Sequence, residues 1–223
     1  MAIKKSDLTV DINGQPVNAY LASPSNGGPG ILVLPSWWGL KPFFKGVCDR
    51  LAEHGYTALA PDYYHGRVAN TIDEAKALQE EAEGDFDAMV ALVQATKDHL
   101  VSLRPNKLIG QLGFSMGTDW AIITAAKEPD VAATVLFYGG WSTDFSKIKS
   151  KALGHYAEKD EWVPFEQAQE MEQNMKTDGV EVTLHFYPGV DHWFMESDLP
   201  EYAPAAANLA WERTFDFLKK NLE

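Results

Sequence analysis

A serine held between two glycines, Gly113-Phe114-Ser115-Met116-Gly117, stands where a hydroxyl could be turned into a nucleophile. A serine hydroxyl attacks a carbonyl at neutral pH only if a base takes its proton. The base in turn needs an acidic group to orient it and stabilise its cation. The small residues at 113 and 117 suit a sharp strand-to-helix turn in which backbone segments approach closely. Of the six histidines, His192, in Pro188-Gly189-Val190-Asp191-His192-Trp193-Phe194, is the one that follows Ser115 at the carboxyl end of a predicted strand. His54 and His99 fall in predicted helices, His155 and His185 inside predicted strands, and His65 in an earlier strand-end loop within reach of a site. The acid is expected between serine and histidine. Asp160, in Glu158-Lys159-Asp160-Glu161-Trp162, follows a predicted strand. Glu158 and Glu161 are its rivals on the same loop, and Asp191 and Asp144 are less well placed. Serine, aspartate and histidine in that order can run acyl transfer through a covalent intermediate.

These residues need a scaffold that ends several strands at one edge. Ile31–Leu34 is a continuous apolar run, as expected of a strand buried on both faces. Thr57–Ala60, Leu108–Leu112, Ala133–Tyr138, Ala152–Ala157 and Val180–Tyr187 read as further strands, and Leu8–Ile12 and Val17–Leu21 as a hairpin about Asn13-Gly14. Helices are predicted over Phe43–His54, Thr71–Glu83, Asp85–Leu103, Met116–Lys127, Pro164–Thr177 and Tyr202–Asn221. Strand and helix in alternation imply α/β architecture: a mostly parallel, twisted sheet of about eight strands with helices on both faces, in one domain spanning 1–223. Functional residues of such sheets gather beyond the carboxyl ends of the strands. Ser115, Asp160 and His192 all fall there, and their order is that of α/β-hydrolases.

Two backbone N–H groups must meet the developing oxyanion. Met116, just after the serine, is expected to supply one, and Trp37, in the loop after Ile31–Leu34, the other; Ser36 could add its hydroxyl. Ser36, Trp38, Tyr64, Arg67, Trp141 and Trp193 are expected substrate-binding residues, because they lie on strand-end loops, several with the aromatic character usual in small-molecule pockets. No metal site is expected. The net charge of −13 argues against nucleic acid and anionic membranes as partners. The N-terminal stretch lacks the apolar segment of a signal peptide, and no apolar run approaches the length of a membrane span. A single cysteine, Cys48, fits a reducing cytoplasm. Oligomeric state is not indicated.

From about Val17 to Leu222 the chain resembles the dienelactone hydrolase family. The resemblance is carried by GFSMG, AEKDEWVP, YPGVDHWF and the closing AANLAWERTFDFL. It implies an α/β-hydrolase sheet of eight strands, no cofactor, hydrolysis of a small-molecule ester or lactone, and nucleophile, acid and base at Ser115, Asp160 and His192. Three departures bear on mechanism. The family's founding enzymes use cysteine where Ser115 stands. They carry a glutamate, which helps activate the thiol, where Ser36 stands. They hold a substrate carboxylate with two arginines; Arg67 matches one, and Glu196 stands where the other is expected. The first two changes agree, since a serine working with a histidine base has no use for that glutamate. The third points to a neutral ester, because another carboxylate repels an anionic substrate. Thioester, peptide or acyl-transfer chemistry on the same site is the nearer rival reading. A catalytically silent binding module is the more distant one.

Overall fold

Ile31, Leu32, Val33 and Leu34 have no accessible surface, and neither do Ala58, Leu59 and Ala60. Apolar segments of this kind become strands covered on both faces. The computed structural model describes residues 2–12, 14–103, 108–140 and 143–223. Among them are eight strands of one mostly parallel sheet and six α-helices. The chain divides into two compact units, Met1–Ile109 and Gly110–Glu223.

In the first unit the strands β1 (Ile3–Ile12), β2 (Gln15–Pro24), β3 (Gly30–Leu34) and β4 (Thr57–Pro61) lie in the order β1-β2-β4-β3. β1 with β2, and β2 with β4, are antiparallel, whereas β3 with β4 is parallel. Of the expected Asn13-Gly14 turn, Gly14 takes φ +86 and donates its N–H to Asp11 Oδ1 at 3.0 Å, while Asn13 lies outside the described residues. Helix α1 (Pro42–Glu53) buries Phe44, Val47, Cys48, Leu51 and Ala52, a spacing that makes one apolar stripe. It packs on β2 and β4. Helices α2 (Ile72–Glu83) and α3 (Phe86–Ser102) are each capped by a side chain, Thr71 and Asp85 respectively.

In the second unit β5 (Ile109–Phe114), β6 (Val131–Phe137), β7 (Lys151–Ala157) and β8 (Val182–Tyr187) are neighbours in chain order, β6–β7 and β7–β8 parallel. Helices α4 (Met116–Lys127), α5 (Phe165–Thr177) and α6 (Pro204–Leu222) accompany them. α6 begins at Pro204 rather than the expected Tyr202, because the fixed φ of proline opens a helix. A ladder of rings crosses this half. Phe114 stacks on Phe137 at 4.4 Å, Phe137 on His155 at 5.0 Å and His155 on His185 at 6.0 Å. Each of the four strands contributes one ring, and Ser115, Tyr138, Asp160 and His192 follow these strands in the chain.

His155 is fully buried with both nitrogens engaged, Nδ1 with the Tyr187 hydroxyl at 2.8 Å and Nε2 with Thr214 Oγ1 at 3.1 Å. Arg213 donates to the same Tyr187 oxygen at 3.2 Å. A neutral ring protonated on Nε2, with the tyrosine donating to Nδ1, satisfies every atom. Burial, and then the nearby His185 and Arg213, push the His155 imidazole well below the ordinary histidine range. The unfolded chain therefore takes up a proton at a higher pH than the folded one. Stability from this residue is complete above about pH 6.5 and falls as the pH drops below it. His155→Gln should show a shallower loss of stability than the wild type between about pH 6.5 and 5, in urea denaturation at a series of pH values. Equal slopes would mean that His155 titrates alike in both states.

Candidate active site

Ser115 connects the last residue of β5 to the first of α4, and it does so in a strained conformation, φ +50 and ψ −118. A non-glycine residue holds such angles only where its surroundings enforce them. Here Ser115 N–H donates to Phe137 O at 2.9 Å, and Thr118 N–H donates to Ser115 O at 2.8 Å. The Thr118 hydroxyl lies within 3.1 Å of Gly113 O and 3.3 Å of Phe137 O. A Cβ at Gly113 would overlap the Gly117 carbonyl, and one at Gly139 would overlap that of Ser115. Glycine at these two positions is what allows the turn to fold this tightly. Met116 opens α4, so its N–H belongs to the first turn, whose donors point away from the helix.

The loops after β7 and β8 are joined by their own backbones. Glu158 N–H donates to Tyr187 O at 3.0 Å and Lys159 N–H to Val190 O at 3.2 Å. That pairing brings Asp160 to His192. His192 Nδ1 lies 2.7 Å from Asp160 Oδ2, and His192 Nε2 lies 2.9 Å from Ser115 Oγ. Asp160 is itself fixed, because its Oδ1 accepts from the N–H groups of Trp162 at 2.9 Å and Val163 at 2.8 Å. Both side chains are almost wholly buried, 0 % exposed for Asp160 and 3 % for His192. With one imidazole nitrogen turned to a carboxylate, the other can accept a hydroxyl proton.

The rival acids are occupied elsewhere. Glu158 accepts Gly189 N–H, Asp144 caps the short 3₁₀ turn Phe145–Lys147, and Glu161 and Asp191 face solvent. Of the other histidines, His54 bonds to Arg50 O at the end of α1, and His65 is exposed with φ +54.

The expected substrate-binding residues divide. Trp193 is buried with its ring edge against His192 at 4.9 Å. In the first unit Ser36, Trp37, Trp38 and Tyr64 are buried. Arg67 is exposed, but its fork is filled by Glu81, at 2.8 and 2.7 Å, and its Nε donates to Tyr64 O at 3.1 Å. With Tyr63, Tyr64, His65 and Glu81 it lines a cavity of about 450 Å³. Trp141 lies outside the described residues. Glu196, at the position where the resemblance expects a second arginine, is fully buried and accepts the Tyr138 hydroxyl at 3.2 Å. A carboxylate that water cannot reach is stable only with hydrogen-bond donors of its own, and Tyr138 is one.

Tyr138 carries no site role in the sequence reading, whereas Trp162 is one of the strand-end aromatic residues expected to wall a pocket. Tyr138 follows β6 as Ser115 follows β5, and that position was the available signal. Trp162 is 42 % exposed, with its ring 6.4 Å from His192 and 5.6 Å from Trp193. Beside this loop, Gly140, Phe145, Val163, Gln167, Ala168 and Met171 line a cavity of about 190 Å³. Among the described residues no cluster of histidine, cysteine or carboxylate side chains could hold a metal ion, and no helix is long and apolar enough to cross a membrane.

Residues 17–222 match the model of the dienelactone hydrolase family. The chain is 36% identical over 221 residues to Protein usf of Aquifex pyrophilus, covering 94% of this chain and 96% of that one. It is 34% identical over 222 residues to the "Putative carboxymethylenebutenolidase" of Aquifex aeolicus, covering 95% and 96%. Among solved structures it superimposes with a TM-score of 0.88 on the dienelactone hydrolase-like promiscuous phosphotriesterase P91 from metagenomic libraries, at 19% identity and over all of both chains. That likeness is one of fold.

Proposed function

The chain belongs to the dienelactone hydrolase family, with the α/β-hydrolase fold, and from that premise we propose that it is a serine hydrolase cleaving a carboxylic ester or lactone through an acyl-enzyme. The observation that carries this reading is the unbroken run from Ser115 Oγ through the His192 ring to Asp160, at 2.9 and 2.7 Å. His192 Nε2 takes the Ser115 proton as Oγ attacks the carbonyl carbon, and the carbonyl electron pair moves onto oxygen. We assign that oxyanion to the Met116 N–H, and, on sequence position alone, to the Trp37 N–H as second donor. The imidazolium returns its proton to the leaving alkoxide as the acyl-enzyme forms. A water, losing its proton to the same nitrogen, then frees the acid and restores the serine. Asp160 holds the ring in the productive tautomer and stabilises its cation.

The substrate is assigned as small, neutral and in part aromatic. The substrate in the Aquifex aeolicus relative's name carries a carboxylate, and a carboxylate is bound best by a free guanidinium fork. Here the fork of Arg67 is already filled by Glu81. The cavity of about 190 Å³ beside Val163 suits a small group. A neutral aryl ester should exceed its carboxylate-bearing analogue in kcat/KM by an order of magnitude or more, on the order of 1.4 kcal/mol. Equal values would overturn the charge assignment. Labelling of Ser115 by a fluorophosphonate, with no ester hydrolysed, would instead overturn the ester class and favour one of the rival acyl reactions. No labelling at all would favour a binding module.

A further inference from the structure

Among the described residues of the second unit, three non-glycine residues have positive φ, and all three lie at the site: Ser115 at +50, Tyr138 at +41 and Trp193 at +54. Strain of this kind persists where the surroundings over-determine a position. For Ser115 the surroundings are its backbone hydrogen bonds with Phe137 and Thr118. For Tyr138 the reason lies in what its side chain reaches. Its backbone N–H is fixed to His155 O at 2.9 Å, directly beyond β6. From there the fully buried ring stands edge-on to the His192 imidazole, centroids 4.9 Å apart at 61°, and edge-on to Phe194 at 5.5 Å. The hydroxyl continues past both rings and donates to Glu196 Oε1 at 3.2 Å.

Glu196 closes the turn that carries His192. Its N–H donates to Trp193 O at 2.8 Å, and its own carbonyl accepts from Leu199 N–H at 3.0 Å. Tyr138 therefore ties the far end of the histidine turn to the end of β6, the strand that also anchors Ser115 through Phe137 O. Burial and then the Glu196 charge push the Tyr138 hydroxyl well above the ordinary tyrosine range, so it stays protonated and must donate. A hydroxyl and a carboxylate, both without access to water, are expensive unless each meets the other's need.

We propose that Glu196 is a positioning residue: through the Tyr138 hydroxyl it holds the tyrosine ring against His192, so that Nε2 stays aimed at Ser115 Oγ. Asp160 fixes the imidazole at Nδ1, and the Tyr138–Glu196 pair fixes the flank of the ring that Asp160 does not touch. Glu196 has no contact with substrate in this assignment. The inference rests on the proposed role of His192 as base.

The test uses Tyr138→Phe, Glu196→Gln and the double variant. Three readouts serve: steady-state hydrolysis of a neutral and an anionic ester, the rate of Ser115 labelling by a fluorophosphonate, and the downfield NMR signal of the His192 Nδ1 proton. Tyr138→Phe keeps the ring and removes only the hydroxyl. It should lower kcat and the labelling rate about tenfold, with KM within about twofold of wild type. Glu196→Gln keeps an oxygen that accepts the tyrosine proton, so its loss should be the smaller. The double variant should be no slower than Tyr138→Phe alone, because both changes act on the same link and Tyr138→Phe already removes it. The imidazole signal should broaden or shift in Tyr138→Phe while the unfolding midpoint changes little. Wild-type kcat and labelling in Tyr138→Phe, or losses that multiply in the double variant, would overturn the proposal. So would a change in Glu196→Gln confined to KM for the anionic ester, which would make Glu196 a wall of the substrate site. If the wild type neither labels nor turns over, the proposed function fails, and the NMR signal alone decides whether the pair positions the ring.

Discussion

Ser115→Ala is expected to lower kcat by about five to six orders of magnitude while leaving the fold intact. The size follows from the proposed role. Without Oγ no acyl-enzyme forms, and the remaining contribution is that of the oxyanion donors and substrate binding, about three orders of magnitude over water. The fold should survive because the strain at 115 lies in the backbone, at φ +50 and ψ −118, and alanine meets the same steric cost there as serine. The turn is secured by groups that the substitution leaves alone: the Ser115 N–H to Phe137 O, the Thr118 N–H to Ser115 O, and glycines 113 and 139. What disappears is one hydrogen bond, the 2.9 Å contact with His192 Nε2. The unfolding midpoint and the turnover of a chromogenic ester, measured on the same preparation, separate the two effects. A residual rate above about one per cent of wild type would remove Ser115 from the role of nucleophile.

The scaffold is legible in the sequence because its central strands are apolar. Ile31–Leu34 and Thr57–Ala60 announce burial on both faces, and the structure buries them completely. The hairpin is less legible. β1 extends back to Ile3 and β2 forward to Pro24, well past the segments read as strand. Lys4, Lys5, Ser6 and Asp7 face solvent, and an exposed strand gives no continuous apolar run. Ser115, Asp160 and His192 could be picked out because each stands at the carboxyl end of a strand, where this architecture collects its chemistry. Two other residues read differently in three dimensions. Arg67 looks like an anion holder until α2 folds and brings Glu81 to its fork, two hydrogen bonds from fourteen residues away. Glu196, four residues past the histidine, reads as a carboxylate of the substrate site. Its burial is decided by Tyr138 and the turn around Trp193, and no local pattern encodes either. Side-chain identity is written in the sequence, whereas the partner that neutralises a charge is a tertiary fact.

The same reasoning gives a second large effect, at the residue that never touches substrate. Asp160→Asn is expected to lower kcat about 10⁴-fold with little change in stability. The asparagine oxygen can keep the two loop contacts, from Trp162 N–H and Val163 N–H, so the loop after β7 retains its shape. Its NH₂ group then occupies the place of Oδ2, 2.7 Å from His192 Nδ1. Two donors cannot face each other, so the imidazole moves its proton to Nε2 and accepts at Nδ1. Nε2–H then points at Ser115 Oγ as a donor, and the serine proton has no acceptor. Geometry persists while chemistry stops, a loss of about 5.5 kcal/mol in transition-state stabilisation. The imidazole proton signal reports the exchange directly, since the downfield Nδ1–H resonance disappears in the variant. Asp160→Ala gives the contrast, because it frees the loop N–H groups as well and should lower the unfolding midpoint. A loss in Asp160→Asn below about tenfold would show that the ring needs neither this carboxylate nor this tautomer to act as base.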